Sequence, residues 1–164
     1  MKTTEQIANE VLALFARFSS KPGHLLPPRA LTNYHQTLNP KESPLLNEAI
    51  NSLLAQEYLA LKTANIPDSF TLTPSGYEFL YPVDREQVFE DIKGIILSQF
   101  RSANALVGHF IPNRSLKLPR LNPREVELVT EALENLVDQG YISIKTAPLP
   151  GIVLSTPGFD YIYQ

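Results

Sequence analysis

A nine-residue motif occurs twice in this chain. It reads Gly23-His24-Leu25-Leu26-Pro27-Pro28-Arg29-Ala30-Leu31 in the first half and Gly108-His109-Phe110-Ile111-Pro112-Asn113-Arg114-Ser115-Leu116 in the second. The flanking segments recur in the same order, with Asn39-Pro40 matched by Asn122-Pro123, Tyr58–Ala64 by Tyr141–Ala147, and Gly76-Tyr77 by Gly158-Phe159. An internal period that persists along the whole chain indicates that one fold is present twice.

The repeat predicts two domains of about 80 residues each, a size at which a single core is marginal. We expect the first domain at residues 1–81, a linker at 82–84 and the second domain at 85–164. The difference in residue number between matching positions of the two halves changes only between motifs. We therefore expect the insertions to lie in loops, which tolerate them.

Composition argues against several kinds of chemistry. The chain has no cysteine, which removes disulfides, thiolate catalysis and cysteine-ligated zinc. Its three histidines lack metal-binding spacing, and the seven glycines form neither a phosphate-binding loop nor a nucleophile elbow. The sequence therefore predicts a protein that is not an enzyme, without a catalytic residue, a metal or a cofactor.

The sequence also predicts a cytoplasmic protein. No apolar run approaches the ~18 residues of a membrane span, and the first residues lead into an amphipathic helix rather than an apolar signal core. The net charge of −3 argues mildly against a dedicated nucleic-acid binder. The sequence leaves the oligomeric state open between monomer and homodimer.

Hydrophobic periodicity predicts the same helices in each half. Apolar residues at spacings of three and four indicate a first helix over residues 4–18, and a matching stripe begins at Val88. Prolines in the repeated motif suit the first turn of a second helix, expected over 28–36 and 112–118. Asn-Pro-x-Glu is a start signal for a third helix. In the first half, Pro44 lies early in this helix, so we expect the regular helix to begin at Ser43.

A β-hairpin and a last short helix complete each half. The hairpins are predicted from residues 58–62 with 70–72 and from residues 141–145 with 152–154. We expect the aromatic residues of the last helices to pack onto the cores; they are Tyr77, Phe79 and Tyr81 in the first half and Phe159, Tyr161 and Tyr163 in the second. The fold class is mainly α with small β-hairpins, an α+β class.

This order of elements resembles the winged-helix domain of bacterial transcriptional regulators. Both halves carry the hairpin ending, as Leu72-Thr73-Pro74-Ser75-Gly76 and Leu154-Ser155-Thr156-Pro157-Gly158. The resemblance implies two tandem winged-helix domains that arose by internal duplication. It also implies DNA binding as the commonest activity, with the third helix in the major groove, and protein interaction as the second use of tandem copies.

The predicted outward faces of the third helices differ in charge. Asn47, Glu48, Asn51, Ser52 and Gln56 lie on the first, where amides can read adenine. The acidic residues of the second are Glu127, Glu131, Glu134 and Asp138, which would repel phosphate. The acidic face is either a solvated surface or a docking face for a basic partner or for the basic segment of the same chain.

Positive charge collects before each third helix. The candidate nucleic-acid or anion contacts are Arg29, Lys41, Arg101, Arg114, Lys117, Arg120 and Arg124. The hairpin tips, residues 63–67 and 146–150, carry apolar residues and prolines where a phosphate-contacting wing carries cations. Ile66 and Leu149, if exposed, favour contacts with protein.

The repeated motif itself is predicted to be structural. Its shared residues are Gly23, His24, Pro27 and Arg29 in the first half and Gly108, His109, Pro112 and Arg114 in the second. Glycine would open the turn, proline would start the helix, and the histidine and arginine would satisfy nearby backbone carbonyls or a carboxylate. The alternative is one anion contact in each half.

The charge on the third helices and the apolar hairpin tips favour a non-enzymatic interaction module. The expected partner is a protein within a regulatory or nucleic-acid-associated complex. The alternative is a DNA-binding transcriptional regulator that uses the basic segments around the second helices.

Overall fold

The computed structural model describes residues 1–62 and 69–164. The chain divides into two compact units, Met1–Pro82 and Val83–Gln164, and the division falls inside the segment 82–84. Both units are mainly helical and carry small antiparallel sheets, in agreement with the α+β class. The first predicted hairpin tip, with Ile66, lies outside the described residues. No helix of the described part of the chain combines the length and the hydrophobicity needed to cross a bilayer.

Unit 1 contains four helices and a two-stranded sheet among its described residues. They are α1 (Thr4–Arg17), α2 (Pro28–His35), α3 (Ser43–Ala55), β1 (Leu59–Leu61), β2 (Phe70–Leu72) and α4 (Pro74–Leu80). Leu25 adds an isolated antiparallel bridge to Thr71 of β2. The helix α3 begins at Ser43, as predicted, because Pro44 suits only the first turn of a helix.

Unit 2 contains three helices, a 3-10 turn and a three-stranded antiparallel sheet. They are α5 (Arg85–Ser102), β3 (Phe110–Pro112), the 3-10 turn Asn113–Ser115, α6 (Pro123–Asp138), β4 (Ile142–Lys145), β5 (Gly151–Leu154) and α7 (Thr156–Ile162). The strand order is β3-β5-β4, so β5 is central. Ile152 of β5 lies opposite Ile111 on one side and Ile144 on the other.

Each unit has its own hydrophobic core. Helix stripes and inward strand residues meet there because both present apolar side chains on one face. Fully buried residues include Ile7, Val11, Leu12, Phe15 and Leu72 in unit 1, and Ile92, Ile96, Phe100, Leu136 and Leu154 in unit 2.

The predicted second helix of unit 2, residues 112–118, is wrong. The structure has only the 3-10 turn Asn113–Ser115, followed by a non-helical connection. From the repeated motif to the Asn-Pro pair, this connection is two residues shorter than in unit 1. It also contains Pro119, which provides no backbone N–H and pushes Leu118 out of the helical region.

The expectation that insertions lie only in loops is also wrong. The helix α5 has 18 residues and α1 has 14, so the change in offset falls inside the first helix. The caps Thr3 and Asp84 are 81 positions apart, whereas the buried Phe15 and Phe100 are 85 apart. Four residues add about 1.1 turns, which leaves the buried stripe on nearly the same face.

The two units share their unusual backbone positions. Positive φ angles occur at three matching pairs: Ser19 and Asn104 (47° and 48°), Gly23 and Gly108 (82° and 84°), and Glu57 and Gly140 (58° and 72°). Ser19 and Asn104 follow the first helices, and Glu57 and Gly140 follow the third. The loops therefore turn in the same way in both units.

Each last helix starts with the same hydrogen bonds. The N-cap Thr73 donates to the Tyr58 carbonyl (3.0 Å) and accepts from the Gly76 N–H. The N-cap Ser155 donates to the Tyr141 carbonyl (2.7 Å) and accepts from the Gly158 N–H. A Cβ atom at Gly76 would overlap the Tyr58 carbonyl, and one at Gly158 would overlap the Tyr141 carbonyl. Only glycine permits this close approach of helix to strand.

The aromatic residues of the last helices are only partly in the cores. Tyr77 and Tyr81 are buried, as expected, but Phe79, Tyr161 and Tyr163 are exposed. Phe79 stacks on Tyr58, and Tyr161 stacks on Tyr141, each at a ring distance of 4.6 Å. These two side chains pack on the start of the hairpin rather than inside the core.

Candidate interaction surfaces

The repeated motif makes its common contacts through the backbone. Gly23 N–H donates to the Leu72 carbonyl and Gly108 N–H donates to the Leu154 carbonyl, both at 2.8 Å. The carbonyls of His24 and His109 accept from the same two leucines at 3.1 and 3.0 Å. The motif thus joins the first extended segment to the second hairpin strand in each unit.

Among the residues that the structure describes, the histidine and arginine side chains of the motif have no common polar contact. His24 Nδ1 accepts from the Lys21 N–H at 3.1 Å, whereas the His109 ring lies edge-on to Phe100. Pro27 precedes α2, and Pro112 precedes the 3-10 turn. Arg29 and Arg114 are exposed. The motif therefore does not place a matching pair of side chains around one kind of ligand.

A polar cluster in unit 1 ties the N-terminus to α1, α2 and the turn before α3. The Lys2 ammonium and the Tyr34 hydroxyl both donate to Glu10, at 2.6 and 2.7 Å. The backbone N–H groups of Lys2 and Asn39 donate to the Glu42 carboxylate, at 2.7 and 3.2 Å. Glu42 is only 6% exposed, so these donors compensate its burial.

The donors of this cluster shift the ionisation of its members. The hydrogen bonds from Lys2 and then Tyr34 hold the pKa of Glu10 below its usual value. The backbone donors at Lys2 and Asn39 lower the pKa of Glu42. Burial and the bond to Glu10 raise the pKa of Tyr34. Sequence reasoning identified Glu42 only as a helix-start residue and missed the cluster, because its members are distant in sequence.

An open groove lies between α2, α3 and β1 of unit 1. Its apolar lining includes Leu31, Leu46, Ile50, Leu54, Leu61 and Phe70. Polar residues complete it, among them Thr32, Ser43, Asn47 and Asn51. None of the described residues that line the groove is Asp, Glu, Lys or Arg. Leu61 is 57% exposed although it belongs to this apolar lining.

A related apolar stripe runs along α6 in unit 2. Val126, Val129, Leu133 and Val137 follow each other at spacings of three and four, which places them on one side of the helix. Val126 is 51% exposed, and Ile144 of the hairpin is 53% exposed. Four positions match lining residues of the unit 1 groove at an offset of 83: Leu46 with Val129, Ile50 with Leu133, Leu54 with Val137, and Leu61 with Ile144.

The predicted acidic residues of α6 lie beside this stripe. Glu127, Glu134 and Asp138 are exposed, and Glu131 is half-buried. Glu131 accepts from Arg85 at the start of α5, at 2.5 Å. Glu134 and Asp138 have no ion-pair partner among the residues that the structure describes. Part of the acidic face is therefore neutralised inside unit 2, and part remains available.

Three of the predicted basic residues lie in one connection of unit 2, which we call the basic strap (residues 114–120). Arg114, Lys117 and Arg120 are exposed, and no carboxylate of the described chain pairs with them. The Gln99 side chain of α5 holds the strap: it accepts from the Lys117 N–H at 2.7 Å and donates to the Lys117 carbonyl at 3.1 Å. Sequence reasoning missed Gln99.

The other predicted basic residues are dispersed. Arg29 is in the first turn of α2, Lys41 precedes α3, and Arg101 is in the last turn of α5. All three are exposed, whereas Arg124, at the start of α6, is half-buried. Leu149 of the second hairpin tip is half-buried, so it is a weaker candidate for a protein contact than its sequence position indicated.

Comparisons with known proteins add no family to these observations. No protein-family model, no curated protein and no solved structure matches this chain.

Proposed function

We propose that this protein is a non-enzymatic interaction module built from two tandem winged-helix domains that arose by internal duplication. Its partner is a protein within a regulatory or nucleic-acid-associated complex. The matched positive-φ positions and the matched hydrogen bonds of the motif support a common origin of the two units. The order of elements supports the winged-helix assignment: three helices and a hairpin in unit 1, and helix, strand, helix and hairpin in unit 2.

The groove beside α3, whose described lining contains no Asp, Glu, Lys or Arg, carries the proposal of a protein partner. In a DNA-binding winged helix, this helix enters the major groove between the phosphates, and cations supply most of the affinity. Here the described lining contains no Asp, Glu, Lys or Arg, and an exposed leucine belongs to it. Burial of exposed apolar surface favours association with another apolar surface by about 25 cal/mol per Å². A protein segment with apolar side chains therefore fits this groove better than a nucleic acid does.

Site-specific cross-linking tests the proposal. A photo-cross-linking amino acid in place of Asn51, which lines the groove, should form protein adducts in cells that contain the natural partners. The additional change Leu61→Asp should remove these adducts, because it places a carboxylate in the apolar lining. Ala60→Asp is the matched control, since Ala60 is exposed on the opposite face of the same strand.

Adducts that persist equally in Leu61→Asp would contradict the groove assignment. Adducts formed with nucleic acid rather than protein would contradict the proposed partner class.

The basic strap supports a second candidate function, nucleic-acid binding. Its three exposed cations lie on one short segment, whose backbone Gln99 holds at Lys117. If this function is correct, mixed-sequence DNA should bind at low salt. The combined change Arg114→Glu, Lys117→Glu and Arg120→Glu should then reduce the slope of log affinity against log salt concentration by about 0.9 for each phosphate that is no longer neutralised. Leu61→Asp should leave this binding unchanged.

A further inference from the structure

The acidic side of α6 adds a chemical constraint on the partner. Its apolar stripe, with Val126 and Leu133, is flanked by the carboxylates of Glu134 and Asp138. Glu134 and Asp138 each follow a stripe residue by one position, so they lie ~100° around the helix from it. The surface thus presents an apolar strip with negative charge along one side.

We propose that this face of α6 binds an amphipathic basic helix of a partner protein, an inference that rests on the proposed protein-interaction function. The apolar side of such a helix covers the exposed side chain of Val126 and the accessible parts of Val129, Leu133 and Val137, which are half-buried against the core of unit 2. Its lysines or arginines lie against Glu134 and Asp138, which lack ion-pair partners among the described residues. An amphipathic helix in an apolar groove is a common form of peptide recognition, with contacts at spacings of three and four residues.

The charge distribution favours this occupant over an acidic or a neutral one. Like charges at an interface oppose association, so an acidic helix would be rejected by this side of α6. A neutral apolar helix would leave the two carboxylates close to apolar surface without cations. The unit 1 groove carries no such charges on its described lining, so the constraint belongs to unit 2.

Synthetic peptides test this inference on the full chain. The probes are a helical peptide of about 18 residues with leucines at spacings of three and four and lysines elsewhere, and a second peptide with glutamates in place of the lysines. Fluorescence anisotropy should show the basic peptide binding at least about tenfold more tightly than the acidic one. Backbone amide shifts in NMR spectra should change along α6 and at Ile144.

Two variants separate the face from general attraction to a negative protein. Glu134→Lys with Asp138→Lys should weaken binding of the basic peptide about tenfold, since two exposed ion pairs are lost and the reversed charges add repulsion. Glu86→Lys with Asp160→Lys makes the same change in net charge at exposed sites on α5 and α7, and should change affinity less than about twofold. Val126→Ser should weaken binding without changing charge.

Several results would overturn the inference. Equal losses in both double variants would show attraction by overall charge alone. Amide shifts confined to the unit 1 groove would place the peptide elsewhere. A chain that dimerises by sedimentation equilibrium, and that dissociates in the Glu134→Lys, Asp138→Lys variant, would show that a second copy occupies this face.

The outcome can be separated from that of the proposed function. If the basic peptide fails to bind α6 but Leu61-dependent protein adducts still form at Asn51, only the inference about α6 is wrong.

Discussion

Unit 1 and unit 2 reach the same hairpin and third helix through different connections. In unit 1 the connection is the helix α2, and the buried Tyr34 on it donates to Glu10 of α1. In unit 2 the connection is the basic strap, which the side chain of Gln99 holds against α5. One unit uses a polar cluster around a carboxylate, and the other uses a side-chain amide paired with a backbone amide.

This difference shows which parts of the fold are constrained. Two features are equivalent in both units, because backbone approaches backbone at each of them. They are the hydrogen bonds of Gly23 and Gly108, and the close packing at Gly76 and Gly158. The segment that leads into the third helix needs only to cover the core and reach the next cap. It can therefore change in length, secondary structure and charge.

The largest expected effect is at the shared glycines. Gly76→Ala and Gly158→Ala should each destabilise the unit that carries them by about 3 kcal/mol, since the new Cβ overlaps a tyrosine carbonyl. Urea unfolding followed by circular dichroism and by amide hydrogen exchange in each unit would measure this.

Gly94→Ala provides the matched control for that comparison. Gly94 lies in the middle of α5, and a Cβ atom there meets nothing within 4 Å. Alanine should stabilise the helix by about 0.5–1 kcal/mol. A loss at Gly94 as large as at Gly158, or different losses at Gly76 and Gly158, would contradict the shared framework.

Acid should weaken the polar cluster of unit 1. The pKa values of Glu10 and Glu42 are lowered in the folded chain, so their stabilisation is present above the usual value of 4.5 and is lost as the pH falls through the folded values. Hydrogen exchange in unit 1 between about pH 6 and pH 3, corrected for the intrinsic exchange rate, should show this loss.

Glu42→Gln should reduce the acid-dependent part of that loss. Glu57→Gln, a change at an exposed residue, is the control and should retain it. An unchanged acid dependence in Glu42→Gln would exclude the carboxylate as its source.

The smallest expected effect is at the strap. Gln99→Leu introduces the residue type found at the matching Leu14, and should cost about 1 kcal/mol, because water replaces the two hydrogen bonds at an exposed site. Gln99→Glu keeps the acceptor for the Lys117 N–H and should cost less. Amide exchange at Lys117 would measure both. Protection that stays the same in Gln99→Leu would show that other contacts hold the strap.

Much of the local structure could be predicted from sequence. The start of α3 at Ser43 and the strands Phe70–Leu72 and Ile142–Lys145 were predicted to within about one residue, because proline, caps and alternation act over short distances. The second helix of unit 2 was predicted wrongly, because the repeat suggested that matching sequence has matching structure. Pro119 and the shorter connection outweighed that similarity.

The candidate surfaces were only partly predictable. The acidic residues Glu134 and Asp138 were found from helical spacing alone, but the pairing of Glu131 with Arg85 was not. The groove beside α3 could not be predicted from sequence, since its lining comes from α2, α3 and the hairpin. Such a surface exists only when segments distant in sequence are brought together.

The sequence by itself determined the repeat, the periodic stripes that become helices, and the charge carried by each segment. These features depend on residues that are neighbours along the chain or one helical turn apart. The tertiary structure decided which charges remain available, which apolar residues stay exposed, and how each unit holds the segment before its third helix. Those outcomes depend on contacts such as Lys2 with Glu42 and Gln99 with Lys117, whose partners are far apart in the chain and meet only after packing.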